Sequence, residues 1–137
     1  MKKLIKASVL FLVLASTSSI FAQSPIGKWK VESYWSNEHK FDSHKALLNS
    51  RPCAADIFYE ITEDGKYRLN ASKSNCDEKY KKMQEKIWSQ TKWRLKDKLI
   101  QLSATNFSIT QDYTITFSGN KMIWKNEWDT ITYVRIN

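Results

Sequence analysis

Cys53 and Cys76 are the two cysteines of the chain, and only one pairing is open to them. A cysteine pair offers a disulfide, a reactive thiol or a metal site. Neither residue stands in a Cys-x-x-Cys spacing or beside a histidine, which argues against redox catalysis and zinc. His39 and His44 share a polar stretch with Asp42, and imidazole with carboxylate suits a metal. No further ligand is near in sequence, so a solvated loop is expected there and no metal. Asp56 and Glu60 fall on one outward strand face, where they serve as solubilising charge. No nucleophile, base and orienting group can be assembled. Gly27, Gly65 and Gly119 are too few and too scattered for a phosphate loop or a dinucleotide fingerprint. The expectation is a protein that is not an enzyme and carries no cofactor.

The compartment follows from the first 22 residues. Lys2, Lys3 and Lys6 precede an apolar run from Ala7 to Ala15, and small polar residues lead to Phe21-Ala22, the three parts of an export signal. The run is shorter than the roughly 20 residues a membrane span needs. Cleavage after Ala22 is therefore expected, leaving residues 23 to 137 as one periplasmic or secreted domain with no transmembrane segment. In an oxidising compartment the two cysteines are expected to pair. Loss of the three lysines lowers the net charge from +8 to +5. The excess is concentrated in residues 73 to 98, which hold nine Lys or Arg against four acids. Such a segment usually keeps a surface solvated. No nucleic-acid partner is expected of an exported protein, whereas an acidic protein partner for Lys79, Lys81, Lys82 and Lys86 is a second reading.

Residues 23 to 137 contain sixteen aromatics, enough to build a core. Trp29, Val31, Ser33 and Trp35 alternate with polar residues on one strand face. Ile57 to Thr62, then Glu63-Asp64-Gly65, then Lys66 to Leu69 reads as a hairpin with glycine in the left-handed position of a three-residue loop. This register puts Ile61 opposite Tyr67 and Tyr59 opposite Leu69, and it brings Cys53 and Cys76 together at the hairpin's open end. A turn at Lys96-Asp97 would face Trp93 with Ile100 and Thr91 with Leu102. A turn at Gly119-Asn120 would face Phe117 with Met122, Ile115 with Trp124 and Tyr113 with Asn126.

Eight strands result: 26 to 35, 55 to 62, 66 to 72, 86 to 95, 98 to 104, 111 to 118, 121 to 127 and 130 to 136. Short helices are expected within 36 to 54 and 73 to 85, the second as an amphipathic lid with Tyr80, Met83 and Ile87 at helical spacing. Closure into an all-β, eight-stranded antiparallel up-and-down barrel removes the two free edges, and a two-sheet sandwich is the alternative.

Gly27-Lys28-Trp29 on the first strand, the Cys53 to Cys76 hairpin with Glu63-Asp64-Gly65 at its tip, Trp93-Arg94-Leu95 before a tight turn and Tyr133-Val134-Arg135 at the end together resemble lipocalin-like domains of secreted Bacteroidetes-type bacterial proteins. The resemblance implies a barrel plug formed by Trp29 under Arg135. It also implies a monomeric carrier of a small hydrophobic or amphipathic molecule, held in the barrel mouth by Trp35, Tyr59, Tyr67, Trp93, Tyr113 and Trp124. Tyr133, Ile57, Leu69, Ile115 and Met122 share the expected inner face. Whether these side chains fill the barrel or line a cavity is left open by the sequence, and a solid barrel would favour the protein-binding reading.

Overall fold

Period-two alternation of apolar residues produces the strands that close the barrel, in a computed structural model that describes residues 23 to 137. The export-signal expectation for residues 1 to 22 lies outside the described residues. In chain order the strands are β1 (Gly27–Ser36), β2 (Phe41–Asp42), β3 (Phe58–Ile61), β4 (Tyr67–Asn70), β5 (Lys92–Lys96), β6 (Leu99–Ser103), β7 (Gln111–Ser118), β8 (Lys121–Lys125) and β9 (Asp129–Ile136). Helix α1 (Ser43–Ser50) follows β2, and α2 (Glu78–Ile87) lies between β4 and β5.

The sheet runs β4-β3-β1-β9-β8-β7-β6-β5, with antiparallel neighbours throughout and β2 as a short addition to β1. First and last strands therefore meet inside the sheet, and the seam falls between β4 and β5. It is nearly closed: Lys66 bridges Lys92, Tyr67 N–H donates to Thr91 C=O at 3.1 Å and Trp93 N–H donates to Gly65 C=O at 3.0 Å. The result is an eight-stranded all-β barrel.

Two hairpins have the expected register. Ile61 faces Tyr67 and Tyr59 faces Leu69, around a turn in which Gly65 has φ +87°. Phe117 faces Met122 and Ile115 faces Trp124. The third differs: Trp93 pairs with Leu102 and Leu95 with Ile100, because the turn is Asp97-Lys98 with Asp97 at φ 55°. Aspartate tolerates that left-handed conformation, so the turn moves one residue along.

Two element boundaries and the alternation of one strand also differ from the sequence reading. Residues Pro52–Asp56 form a 3-10 turn instead of the start of a strand, as a proline at its first position favours. The helix α2 extends to Ile87, so β5 begins at Lys92 and not at 86. The alternation of β1 breaks at Glu32, where the pairing with β9 steps from Val31 opposite Tyr133 to Ser33 opposite Thr132. That bulge inserts one residue and inverts the faces beyond it. Tyr34 consequently turns inward, and Trp35, expected on the ligand wall, lies outside at 40% exposure.

One barrel end is sealed by Trp29, which is 1% exposed. Its indole N–H donates to Pro25 C=O at 2.8 Å. The Arg135 guanidinium lies 4.2 Å from the indole ring and donates to the carbonyls of Ile26 and Ser24, both at 3.0 Å. Gly27 makes room for it: its φ is +146°, and a Cβ there would run into the guanidinium. On the opposite side of the β3 strand, Phe58 is 2% exposed although it faces outward. The ammonium groups of Lys28 and Lys73 lie over its ring at 5.8 and 5.9 Å, and nearby in sequence the disulfide Cys53–Cys76 links segments in which Ala54, Ala71 and Ser74 are also buried. The two Cα atoms are 5.2 Å apart, inside the normal range for a disulfide.

Replacing both cysteines by serine is expected to lower unfolding free energy by about 3 kcal/mol, the loop-closure value for a link of this span. Denaturant titration of the oxidised protein and the double variant measures it. Gly27→Ala is expected to cost about 2 kcal/mol through backbone strain and displacement of the guanidinium, read as a lower urea midpoint at unchanged slope.

Candidate functional site

Inward residues from β1, β3, β4 and β6 to β9 pack into a largely aromatic interior, with Trp124 at its centre. Its ring lies 4.7 Å from Tyr133, 5.5 Å from Tyr113 and 5.9 Å from Tyr67. Tyr59 stacks on Tyr67 at 5.1 Å and meets Tyr133 edge-on at 6.2 Å. These rings fill most of an eight-stranded barrel, as its diameter permits. They leave a partly open void of about 130 Å³, walled chiefly by Tyr34, Tyr59, Tyr67, Tyr113, Trp124 and Tyr133.

The polar groups around this void are tyrosine hydroxyls and the Gln111 amide, which can accept as well as donate, and the indole N–H groups of Trp88 and Trp124, which only donate. The Tyr67 and Tyr133 hydroxyls bond one another at 2.9 Å. Near the mouth, Tyr34 O–H donates to an Asp129 carboxylate oxygen at 3.2 Å. Trp124 is fully buried, and among the described residues its indole N–H has no hydrogen-bond partner. A buried donor left unpaired is costly, so it is the most informative polar atom in the barrel.

Burial pushes the Tyr59 hydroxyl up to about 12, with Tyr80 adding to the shift. Burial is also the main reason that Tyr67 and Tyr133 lie well above their ordinary value, reinforced by their tyrosine neighbours. Tyr34 and Tyr113 are raised by burial first and by the nearby Asp129 carboxylate as well. The interior is a neutral, low-dielectric space.

Trp88, the residue that follows α2, lines the void, and α2 itself is fixed against the end of β4. Asp77 caps the helix by accepting from Tyr80 N–H at 2.9 Å, and Arg51 stacks on the Tyr80 ring at 3.7 Å. Glu85 accepts from Ala71 N–H at 3.0 Å, which fixes the helix to the end of β4. Trp88, just past the last turn, meets Tyr67 at 5.3 Å and Tyr59 at 5.8 Å. Arg68 holds this connection by donating to the carbonyls of Tyr67, Trp88 and Thr91 at 3.0, 3.2 and 2.6 Å. Outside, a groove of about 310 Å³ runs between α2 and the β6–β7 connection. Trp88, Leu102 and Gln111 line both this groove and the inner void, so they form the partition between them.

Of the expected ligand wall, Tyr59, Tyr67, Tyr113 and Trp124 line the void. Trp35 is excluded by the bulge. Trp93 stands at the seam with its indole N–H donating to Thr62 C=O at 2.8 Å, and it does not line the void. Tyr34, Trp88 and Gln111 were not legible as wall residues; an apolar pair at Tyr34-Trp35 and a tryptophan one position past Ile87 were the only signals. Met83 and Ile87, expected on the buried face of α2, are 52% and 59% exposed.

Asp42 caps α1, its carboxylate accepting from the N–H groups of Tyr34, His44 and Lys45 at 3.0 to 3.2 Å. Among the described residues no group of three His, Cys, Asp or Glu is placed to hold a metal, and no helix is long and apolar enough to cross a membrane. The basic 73 to 98 segment carries Lys79, Lys81, Lys82 and Lys86 on α2, with its other basic residues on the flanking connections and on β5. Lys73 lies over Phe58, Lys81 pairs with Glu78 at 3.3 Å, and Arg94 donates to Gln101 while stacking on Phe107.

The raised tyrosines make alkaline stability a direct readout. Above pH about 10 the unfolded chain releases phenolic protons that the folded barrel keeps, so stability is full below that pH and falls as pH climbs toward the Tyr59 value near 12. Phenolate absorbance should therefore rise for the buried tyrosines together with loss of the near-ultraviolet dichroism; ionisation of every tyrosine with the barrel intact would contradict the packing. No family model, curated protein or solved structure matches the chain, so what the barrel holds has to be read from the cavity itself.

Proposed function

We propose that this chain is an exported carrier or sensor that holds one ring-sized apolar or amphipathic molecule inside the barrel. The observation behind this reading is the void of about 130 Å³ among tyrosines and tryptophans in an otherwise filled interior. Apolar cavities of about 150 Å³ accommodate benzene, which sets the scale of the guest. Fatty acids, retinoid-like and haem-like molecules are far larger, and the filled core leaves them no room. Aromatic walls give a guest of that size apolar contact on its faces, and the tyrosine hydroxyls give it a polar handle. The partition of Trp88, Leu102 and Gln111 offers the way in, since rearrangement of those side chains joins the outer groove to the void. The disulfide supports the export part of the reading, because such links persist in oxidising compartments.

Thermal unfolding and tryptophan fluorescence of the oxidised protein, titrated with benzene or toluene and in parallel with palmitate, retinol and haem, test the reading. The single-ring molecules are expected to raise the unfolding temperature in a saturable way and to perturb tryptophan emission. The larger probes are expected to do neither. No response to any single-ring molecule would remove the proposal.

A further inference from the structure

One face of α2 consists of basic and apolar side chains that take no part in closing the barrel. At 3.6 residues per turn, Lys82, Lys86, Lys79, Met83 and Ile87 follow one another in that order around an arc of about 140°. All five are exposed, and no residue of α2 is buried. The rest of the circumference supplies the contacts, with Tyr80 against Arg51 and Glu85 on the Ala71 N–H. Ile109, 74% exposed, lines the same groove as Ile87 and carries the apolar edge of the arc onto the β6–β7 connection.

The charge on this arc is uncompensated. Lys79, Lys82 and Lys86 form no ion pair among the described residues. The acids on the helix and its cap are occupied away from them: Asp77 accepts from Tyr80 N–H and lies 3.6 Å from Arg51, Glu78 pairs with Lys81 at 3.3 Å, and Glu85 is held by Ala71.

Composition separates a lipid surface from a protein partner. Protein interfaces centre on Trp, Tyr and Arg in packed pockets and are depleted in lysine. This arc holds three lysines, one methionine and one isoleucine on the outside of a helix. Lysine stems can lie along acyl chains while their ammonium groups reach phosphate, and aliphatic side chains beside them enter the headgroup boundary. From the unpaired lysines and the exposed aliphatic edge beside them we propose that α2 is an interfacial docking face, by which the protein binds a membrane surface rich in anionic phospholipid. This surface is independent of what the barrel holds.

Sedimentation with vesicles tests the proposal. Residues 23 to 137, which contain the whole barrel, are mixed with vesicles of phosphatidylcholine alone or with vesicles that also contain phosphatidylglycerol, at low and at high salt. Binding to the anionic vesicles only is expected, weakening as salt is added. Lys79→Gln, Lys82→Gln and Lys86→Gln combined are expected to weaken it about fivefold per lysine, about a hundredfold in all, and to flatten the salt dependence. Met83→Ser with Ile87→Ser is expected to weaken it about tenfold and leave the salt dependence in place. Every substituted position is exposed, so near-ultraviolet dichroism is expected to match wild type and checks that each variant is folded.

Failure of the wild-type protein to bind anionic vesicles overturns the proposal, and so does equal binding to both kinds of vesicle. Unchanged binding in the lysine variant places the contact elsewhere on the protein and overturns it as well. Unchanged binding in the Met83 and Ile87 variant overturns the entry of those side chains into the bilayer boundary. Polyglutamate in solution stands in for an acidic protein, and binding to it without binding to anionic vesicles assigns the arc to a protein partner instead. The single-ring titration reads a different part of the molecule, so the two proposals fail separately.

Discussion

Arg68 completes the closure of the seam that strand pairing leaves nearly, but not fully, closed. Around the rest of the barrel, backbone ladders join each strand to its neighbours, but between β4 and β5 the ladder shrinks to one bridge and its flanking bonds. The guanidinium spans three carbonyls there, on β4, at the end of α2 and just before β5. All three bonds come from one terminal nitrogen, Nη1, whose two N–H groups are shared among the three carbonyls. Trp93 adds a second cross-seam bond through Thr62. The position of Trp88 over the cavity follows from these bonds, because its own carbonyl is one of those that Arg68 holds. The wall of the cavity and the closure of the barrel are thus the same piece of structure.

Filling and lining turn out to be compatible in so small a barrel. Trp29, Trp124 and Tyr67 are almost completely buried, together with Ile61, Ile100 and Met122, yet the rigid rings among them do not tile the interior. A void remains where flat rings meet at angles between 29° and 89°. Aliphatic residues would fill such corners by changing rotamer, whereas aromatic rings cannot. Aromatic composition therefore produces both the stable core and the space within it, and it also supplies the donors that give the space its polarity.

The hairpins could be read from sequence because their registers depend on local features: Gly65 and Gly119 mark turns, and two-residue periodicity fixes the rest. The disulfide could be read for the same reason. The Glu32 bulge could not, since Tyr34 and Trp35 are both able to face inward and the choice is made by pairing with β9. The helix α2 misled in a different way. Its apolar spacing pointed to Met83 and Ile87 as the buried stripe, but the helix is anchored by polar contacts of Asp77, Glu85 and Arg51, and the apolar contact comes from Trp88 beyond its end. The cavity was not legible at all, because its volume depends on how rings from six strands meet.

The pairing of β1 with β9 also sets the order of events when the chain folds. It is the longest ladder in the barrel, with Lys28 against Ile136, about a hundred positions apart in sequence. Hairpins such as β7–β8 join neighbours and can form within microseconds, but each is marginal by itself. During synthesis β1 waits without its principal partner until the last strand has left the ribosome. The loop entropy of bringing the two ends together is then met late and all at once. Closure of the barrel therefore waits on its contact of highest sequence separation, β1 with β9.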